Sequence, residues 1–377
     1  MNKSDPYLNT KAAFADTDLC VKCGLCLPHC PTYTLSKKEG VSPRGRLALI
    51  QGWSEGALSL SDTLTAHIDS CLTCRACESM CPAHVPYARL VNDFRAQIPT
   101  ANDNKLSTIE RFGINALTGK YRRALNKLVR LYKKLHLDKC TLFAGVNDKL
   151  ADTIESNNFQ NNYPAFTPTE RGRVALFSGC ASEVLDSKTL HDAIYVLQHC
   201  GFRVSVPKAQ VCCGAIDLHA GQAKKAQRFA EQNQAAFADP SFDAVITVAS
   251  GCGSTLAEYS NDLANNIVDI NDFIAPFIPT LTLQPSAASS WLHTPCTLKH
   301  SLNKKPKVAA TLAAIDGLEI NTFDDKQHCC GAAGSYMLRY KETADALREK
   351  TLGPLKQTPS DYLLTSNIGC ALHLRAG

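Results

Sequence analysis

The chain reads Cys20-Val21-Lys22-Cys23-Gly24-Leu25-Cys26-Leu27-Pro28-His29-Cys30-Pro31, and then again Cys71-Leu72-Thr73-Cys74-Arg75-Ala76-Cys77-Glu78-Ser79-Met80-Cys81-Pro82. Each run sets three cysteines on one loop with two-residue spacers, so consecutive thiolates can curl around neighbouring metal atoms. Each ends in Cys-Pro, and proline closes the loop without demanding a backbone donor. Zinc ribbons use paired C-x2-C elements; three cysteines in succession followed by Cys-Pro point instead to iron–sulfur chemistry. Residues 32–70 separate the runs and include a helical-looking stretch from Arg44 to Gly56. This insertion predicts that helices, not a compact β-fold, carry the cysteine loops over residues 1–98.

Working outward, 377 residues are too many for one core and suit two or three domains. With 45% hydrophobic and 20% charged residues the composition is globular. Eighteen cysteines would fit a secreted disulfide scaffold only in a small chain with a signal peptide, and residues 1–19 hold no apolar core of that kind. Reduced thiolates holding metal in a cytoplasmic compartment are expected. No apolar run approaches the roughly 18 residues of a membrane span. The net charge is +5, and seven basic residues with no acidic one lie between Lys120 and Lys134. Tyr121, Leu125, Leu128, Tyr132 and Leu135 recur there at helical spacing, which predicts a basic amphipathic helix. Its plain reading is a surface helix with the apolar side on the protein; contact with an anionic membrane face or an acidic partner is the alternative. Nucleic acid is not expected, because no nucleic-acid module accompanies the helix.

The second half repeats itself. Cys180, Cys212-Cys213-Gly214 and Cys252 match Cys296, Cys329-Cys330-Gly331 and Cys370, each interval agreeing to within one residue. Short apolar strands precede the cysteines at Val174 to Phe177, Ala244 to Val248, Trp291 and Leu292, and Tyr362 to Leu364, with helical stretches such as Thr189 to His199 and Lys341 to Thr351 between them. The division expected is 1–98 for the cysteine-loop domain, 99–170 for a helical basic segment and a polar connector, and 171–280 and 281–377 for two α/β repeats. The repeats are expected to pair about a pseudo-twofold with their cysteines facing a common cleft, since open α/β sheets place sites beyond strand ends. Adjacent cysteines point in different directions, which suits two irons of one cluster; a zinc site or a redox-active dithiol remain the other readings of these eight cysteines. Gly214 and Gly331 permit the bend.

The two N-terminal runs have the spacing of a two-cluster bacterial ferredoxin, in which the fourth cysteine of each run serves the other cluster. That resemblance implies two 4Fe-4S clusters, one on Cys20, Cys23, Cys26 and Cys81 and the other on Cys71, Cys74, Cys77 and Cys30. The double-cysteine-glycine repeat resembles the cysteine-rich domain of the heterodisulfide reductase family. Together with Cys30-Pro31-Thr32-Tyr33, Ser42-Pro43-Arg44-Gly45-Arg46 and Ser366-Asn367-Ile368-Gly369-Cys370, the chain closely resembles the glycolate oxidase iron–sulfur subunit family. The resemblance implies an electron-transfer subunit that takes electrons from flavoprotein (FAD) subunits oxidising glycolate to glyoxylate and passes them toward the membrane quinone pool. It would work peripherally at the inner face of the cell membrane. Equivalent subunits of D-lactate or glycerol-3-phosphate dehydrogenase complexes, or a thiol–disulfide reductase, are the alternatives.

One departure limits the analogy. A C-x2-C pair closes each full heterodisulfide reductase motif, but Thr255 and His373 stand three residues beyond Cys252 and Cys370. The double-cubane chemistry is therefore not carried over. His373 could replace the missing thiolate, though a hydrogen-bonded histidine is the commoner outcome; His293, His300 and His328 are expected to hydrogen-bond around the cysteines rather than to ligate. Gly251-Cys252-Gly253 lacks the third glycine of a dinucleotide fingerprint, with Leu256 in its place, and Gly113 and Gly119-Lys120-Tyr121 lack phosphate-loop spacing and hydroxyl. No FAD or NAD is expected on this chain, and no residue set for dehydrogenating a hydroxy acid.

Overall fold

A computed structural model describes residues 10–98, 106–119, 121–135, 157–302, 307–323 and 329–377. Up to Leu135 the described residues form helices and turns only. Ser42 starts the helix Pro43–Ser54, its hydroxyl accepting from Gly45 N at 2.9 Å with Pro43 in the first turn, and Ser61 caps Asp62–Asp69 in the same way. Together with Tyr87–Gln97 these helices turn Leu47, Ile50, Trp53, Leu64, Ile68, Leu90, Val91 and Phe94 inward. Trp53 meets Phe14 and Phe94 edge-on at 5.6 and 5.0 Å, which ties helix Pro43–Ser54 to Tyr87–Gln97 and to the segment that precedes them. The expected helical carrier of the cysteine loops is therefore what forms.

The first repeat is built on strands β1 (Asn162–Tyr163), β2 (Gly172–Phe177), β3 (Phe202–Ser205), β4 (Ala244–Thr247) and β5 (Ile267–Asp269), ordered β1-β3-β2-β4-β5. β2 to β5 are parallel, and β1 closes the β3 edge antiparallel. The polar segment read as connector thus ends by adding a strand. The second repeat has β6 (Ser289–His293), β7 (Glu319–Thr322) and β8 (Tyr362–Thr365) in the order β7-β6-β8, all parallel. This repeats the order β3-β2-β4 of the first, so the chain leaves each central strand to one side and then crosses to the other. A crevice opens where the order reverses, beyond the carboxyl ends of the strands. Cys180 and Cys252 follow β2 and β4, and Cys296 and Cys370 follow β6 and β8.

The basic helix spans Arg122–Lys134 and lies only in part as the plain reading expects, with Leu125, Val129 and Tyr132 half-buried. Buried Arg122 pairs with Glu183 at 2.8 Å and buried Asn126 donates to the Val184 carbonyl at 3.0 Å, so a polar edge grips the first repeat. Leu128, Leu131 and Leu135 are left exposed beside Lys127, Arg130 and Lys134. The buried ion pair wins because Glu183, itself enclosed, has to be answered by a cation.

Candidate metal centres

The two N-terminal cysteine loops share one backbone plan. The residues before and after the middle cysteine are left-handed in both: Lys22 and Gly24 at φ 57° and 85°, Thr73 and Arg75 at 52° and 63°. Alternating hands turn successive N–H groups toward the inside of the loop, and Thr73 N accordingly donates to Cys71 Sγ at 3.4 Å. Cys20, Cys23, Cys26 and Cys81 line one cavity, walled by Leu47 and Val85. Cys30, Cys71, Cys74 and Cys77 line a second beside Pro31 and Tyr87, and Cys77 borders the first as well. The last cysteine of each run thus stands in the cavity of the other run.

The segment Ser42-Pro43-Arg44-Gly45-Arg46 organises both loops. Arg44 donates from Nη1 to the Lys22 carbonyl at 3.1 Å while Glu39 holds its Nε at 2.7 Å. A Cβ on Gly45 would fall 2.0 Å from the Glu39 carbonyl oxygen, so no other residue lets the helix approach. Arg46 is 1% exposed and donates to the His67 carbonyl, Thr32 Oγ1 and Ser70 Oγ at 2.7, 3.1 and 2.9 Å. Arg95, equally buried, donates to the carbonyls of Cys71 and Asp69 at 2.6 and 3.0 Å and to Thr73 Oγ1 at 3.1 Å. Burial alone raises the Cys71 thiol, but Arg46 and Arg95 outweigh it and hold Cys71 below its ordinary value. Burial pushes Cys77 well up, and the neighbouring thiols add to it. Thiols so crowded ionise together only with metal cations among them, and two buried guanidiniums suit the net negative charge of a cluster held by four thiolates. The donors fit iron–sulfur clusters, which when bound accept and release single electrons.

In the repeats, Cys212 Sγ lies 3.4 Å from Cys180 Sγ and Cys329 Sγ lies 3.8 Å from Cys296 Sγ. Side-chain hydrogen bonding with Cys180 and Cys213 holds Cys212 well below the ordinary thiol value, and Cys296 and Cys330 do the same for Cys329. Gly214 and Gly331 sit at φ 86° and 95°, and a Cβ there would meet Ala226 Cα at 3.1 Å or the Ala344 carbonyl oxygen at 2.6 Å. The double-cysteine bend therefore needs glycine for both its hand and its closeness to a helix. Eight cysteines of the two repeats line one cavity of about 570 Å³, into which Cys74 also looks.

Of the histidines flanking these cysteines, His300 Nδ1 lies 2.9 Å from Ser79 Oγ, joining the second repeat to the N-terminal region. His373 is fully buried with Nε2 3.0 Å from the Ala344 carbonyl, a hydrogen bond as expected. His328 lies outside the described residues. His293 is different: one ring nitrogen and the sulfurs of Cys330 and Cys370 all fall within 4.8 Å of one another, every one buried. Burial pushes its imidazole down to about 4, so the ring is neutral. Sequence reading also missed Arg95; its signal was an arginine in phase with the buried positions Tyr87 and Val91 of the same helix.

Arg75, within the second cysteine loop, pairs with Glu78 at 2.9 Å, donates to Ser301 Oγ of the second repeat at 3.0 Å and pairs with Glu258 of the first. The repeats meet through Ser250 and Thr297 hydroxyls at 2.8 Å and through Ser254 and Ser301 at 2.6 Å.

These features fall within recognised domains. A 4Fe-4S dicluster domain matches residues 16–85, and a cysteine-rich domain matches twice, over 174–257 and 291–375. The chain is an iron–sulfur protein that joins a dicluster domain to a duplicated cysteine-rich domain. It is 29% identical to the glycolate oxidase iron–sulfur subunit of Escherichia coli, over 97% of this chain and 92% of that one. The probable glycolate oxidase iron–sulfur subunit of Bacillus subtilis is 29% identical over 95% of this chain and 88% of its own length. Lactate utilization protein A of Geobacillus kaustophilus is 25% identical over 54% of this chain and 90% of its own. Across nearly its whole length, then, the chain resembles the glycolate oxidase iron–sulfur subunit. Among the described residues no helix is long and apolar enough to cross a membrane.

Proposed function

We propose that this chain is the electron-transfer subunit of a flavin-dependent glycolate dehydrogenase complex, receiving electrons from a flavoprotein partner and passing them toward a membrane quinone. The observation that carries the reading is the continuity of the sulfur sites. Cys77 borders both N-terminal cavities, Cys74 packs with Cys329, and the second repeat shares its cavity with the first. In this reading Cys20, Cys23, Cys26 and Cys81 hold one 4Fe-4S cluster and Cys71, Cys74, Cys77 and Cys30 another, with the eight repeat cysteines holding further iron. The domain limits 1–98, 171–280 and 281–377 belong to the same proposal. Cys23 is exposed, so the first cluster is the one open to a partner. The residues of the chain keep water from the buried sites and supply N–H and Arg46 charge to the sulfurs, while the hydroxy acid is oxidised on the flavoprotein partner.

Membrane contact is assigned to the helices Thr108–Thr118 and Arg122–Lys134, whose exposed Ile109, Phe112, Leu128 and Leu131 are fringed by Lys127, Arg130 and Lys134. Apolar side chains beside lysine and arginine suit an anionic lipid surface. Similarity to lactate utilization protein A favours lactate over glycerol 3-phosphate as the second reading of the substrate. The test is anaerobic purification with co-expressed partners, followed by addition of glycolate, D-lactate or glycerol 3-phosphate. Glycolate is expected to bleach the cluster absorption of the complex and to leave the flavin-free chain oxidised; reduction of the isolated chain by glycolate overturns the reading.

A further inference from the structure

We propose that His293 is a metal ligand of the second repeat, so that the two repeats hold chemically different centres. The inference rests on the reading that the repeats bind iron. It starts from equivalence. β2 and β6 are the central strands, Phe177 and His293 are their last residues, and each stands three residues before the first cysteine of its repeat. Pairing fixes the match independently: Phe177 faces Thr247 on β4 and His293 faces Thr365 on β8. One backbone position therefore carries phenylalanine in one copy and histidine in the other.

Their surroundings differ as their chemistry requires. Phe177 is packed among Cys180, Cys212 and Cys213 as a wall, with no atom to give a metal. His293 places a ring nitrogen within 4.8 Å of the Cys330 and Cys370 sulfurs. Its Nδ1 lies 3.0 Å from Thr365 Oγ1; with Nδ1–H donating there, the Nε2 lone pair is the one offered for coordination. The position where a fifth cysteine would close the motif is His373, and that ring is committed to the Ala344 carbonyl. His293 thus supplies from a strand end the fifth donor that the helix does not. Cys296, Cys329, Cys330, Cys370 and His293 make five donors, against four cysteines in the first repeat. Five exceed what one tetrahedral zinc takes and suit a centre of more than one iron. A neutral imidazole leaves such a centre less negative than an additional thiolate, so it accepts an electron more readily.

The experiment uses the anaerobic complex grown with ¹⁵N-histidine. Pulsed electron paramagnetic resonance is expected to show one strongly coupled histidine nitrogen, altered by the label and lost in His293→Phe, while His293→Cys, which replaces the imidazole by a thiolate, lowers the midpoint potential of that centre alone. The labelled wild type answers the question even where the variant folds poorly. Absence of the coupling, while Cys330→Ser still lowers iron content, overturns the role of His293 and leaves iron in the repeats standing. Iron content unchanged by both Cys330→Ser and Cys213→Ser overturns the cluster-bearing repeats and this inference together. One zinc per chain, lost in His293→Phe, overturns the iron assignment.

Discussion

The two cysteine-rich repeats share a strand order and a cysteine pattern, yet among the described residues the first has one large core and the second only small ones. Its five strands pack helix Ser187–His199 through Val174, Leu176, Leu190, Ile194, Leu197, Val204 and Ile246, backed by Phe202, Phe273 and Phe277 stacked edge-on. The second has three strands among the described residues, and its buried residues fall into separate small clusters. One of these is completed from outside: Leu72 and Cys74 of the N-terminal region pack with Cys329, Tyr336 and Leu347. Tyr336 also reaches back to donate to the Ser70 carbonyl at 3.3 Å. The difference teaches that a duplicated unit can keep its metal-binding pattern while giving up autonomy, provided a neighbour supplies the missing apolar surface.

The strongest test of that contrast is removal of iron by a chelator under reducing conditions. Unliganded, the crowded thiols lose the cations that their packing assumes. Hydrogen exchange is expected to rise to the unfolded level across Cys20–Gln97 and in β6 and β8, while β2 and β4 keep their protection; equal loss in both repeats would erase the distinction. Next comes Leu72→Ala, which removes a fully packed side chain and is expected to cost about 3 kcal/mol. Its exchange signature should appear in Tyr336–Gln357 and be absent from Ser187–His199. Glycine substitutions sharpen the comparison within the shared motif. Gly331→Ala drives a Cβ to 2.6 Å from a carbonyl oxygen whereas Gly214→Ala meets Ala226 Cα at 3.1 Å, both at positive φ. The first is expected to destabilise by about 3 kcal/mol and the second by about 2, read from denaturant midpoints. Smallest in stability is Lys127→Glu with Arg130→Glu: less than about 0.5 kcal/mol at exposed positions, with iron unchanged but with less protein recovered on anionic vesicles.

Much of this was legible because it is local. The C-x2-C-x2-C loops, the duplicated Cys-Cys-Gly and the apolar strands before each cysteine are patterns of spacing, and the strands and helices formed within a few residues of where periodicity put them. What escaped depends on register between distant strands. Nothing in the chain near His293 says that Cys330 and Cys370 will close on it; parallel pairing of β6 with β8 decides that. His373 looked the better candidate because sequence distance from Cys370 is short, but the helix Ile368–Arg375 sets its ring against Ala344. The basic helix misled for a related reason: its apolar stripe was visible, while Glu183, which claims Arg122 and draws a polar edge of the helix inward, lies 61 residues on.

Arg75 carries a consequence in time as well as in space. It leaves the ribosome 226 residues before Ser301, its partner in the second repeat. At synthesis rates of about 5–20 residues per second the interval is roughly 10–45 s. Through that interval the loop from Cys71 to Cys77 is made while Arg75 still lacks Ser301. Leu72 and Cys74 likewise wait for Cys329, Tyr336 and Leu347, so in the proposed reading the inner N-terminal site can receive iron before the last quarter of the chain packs against it.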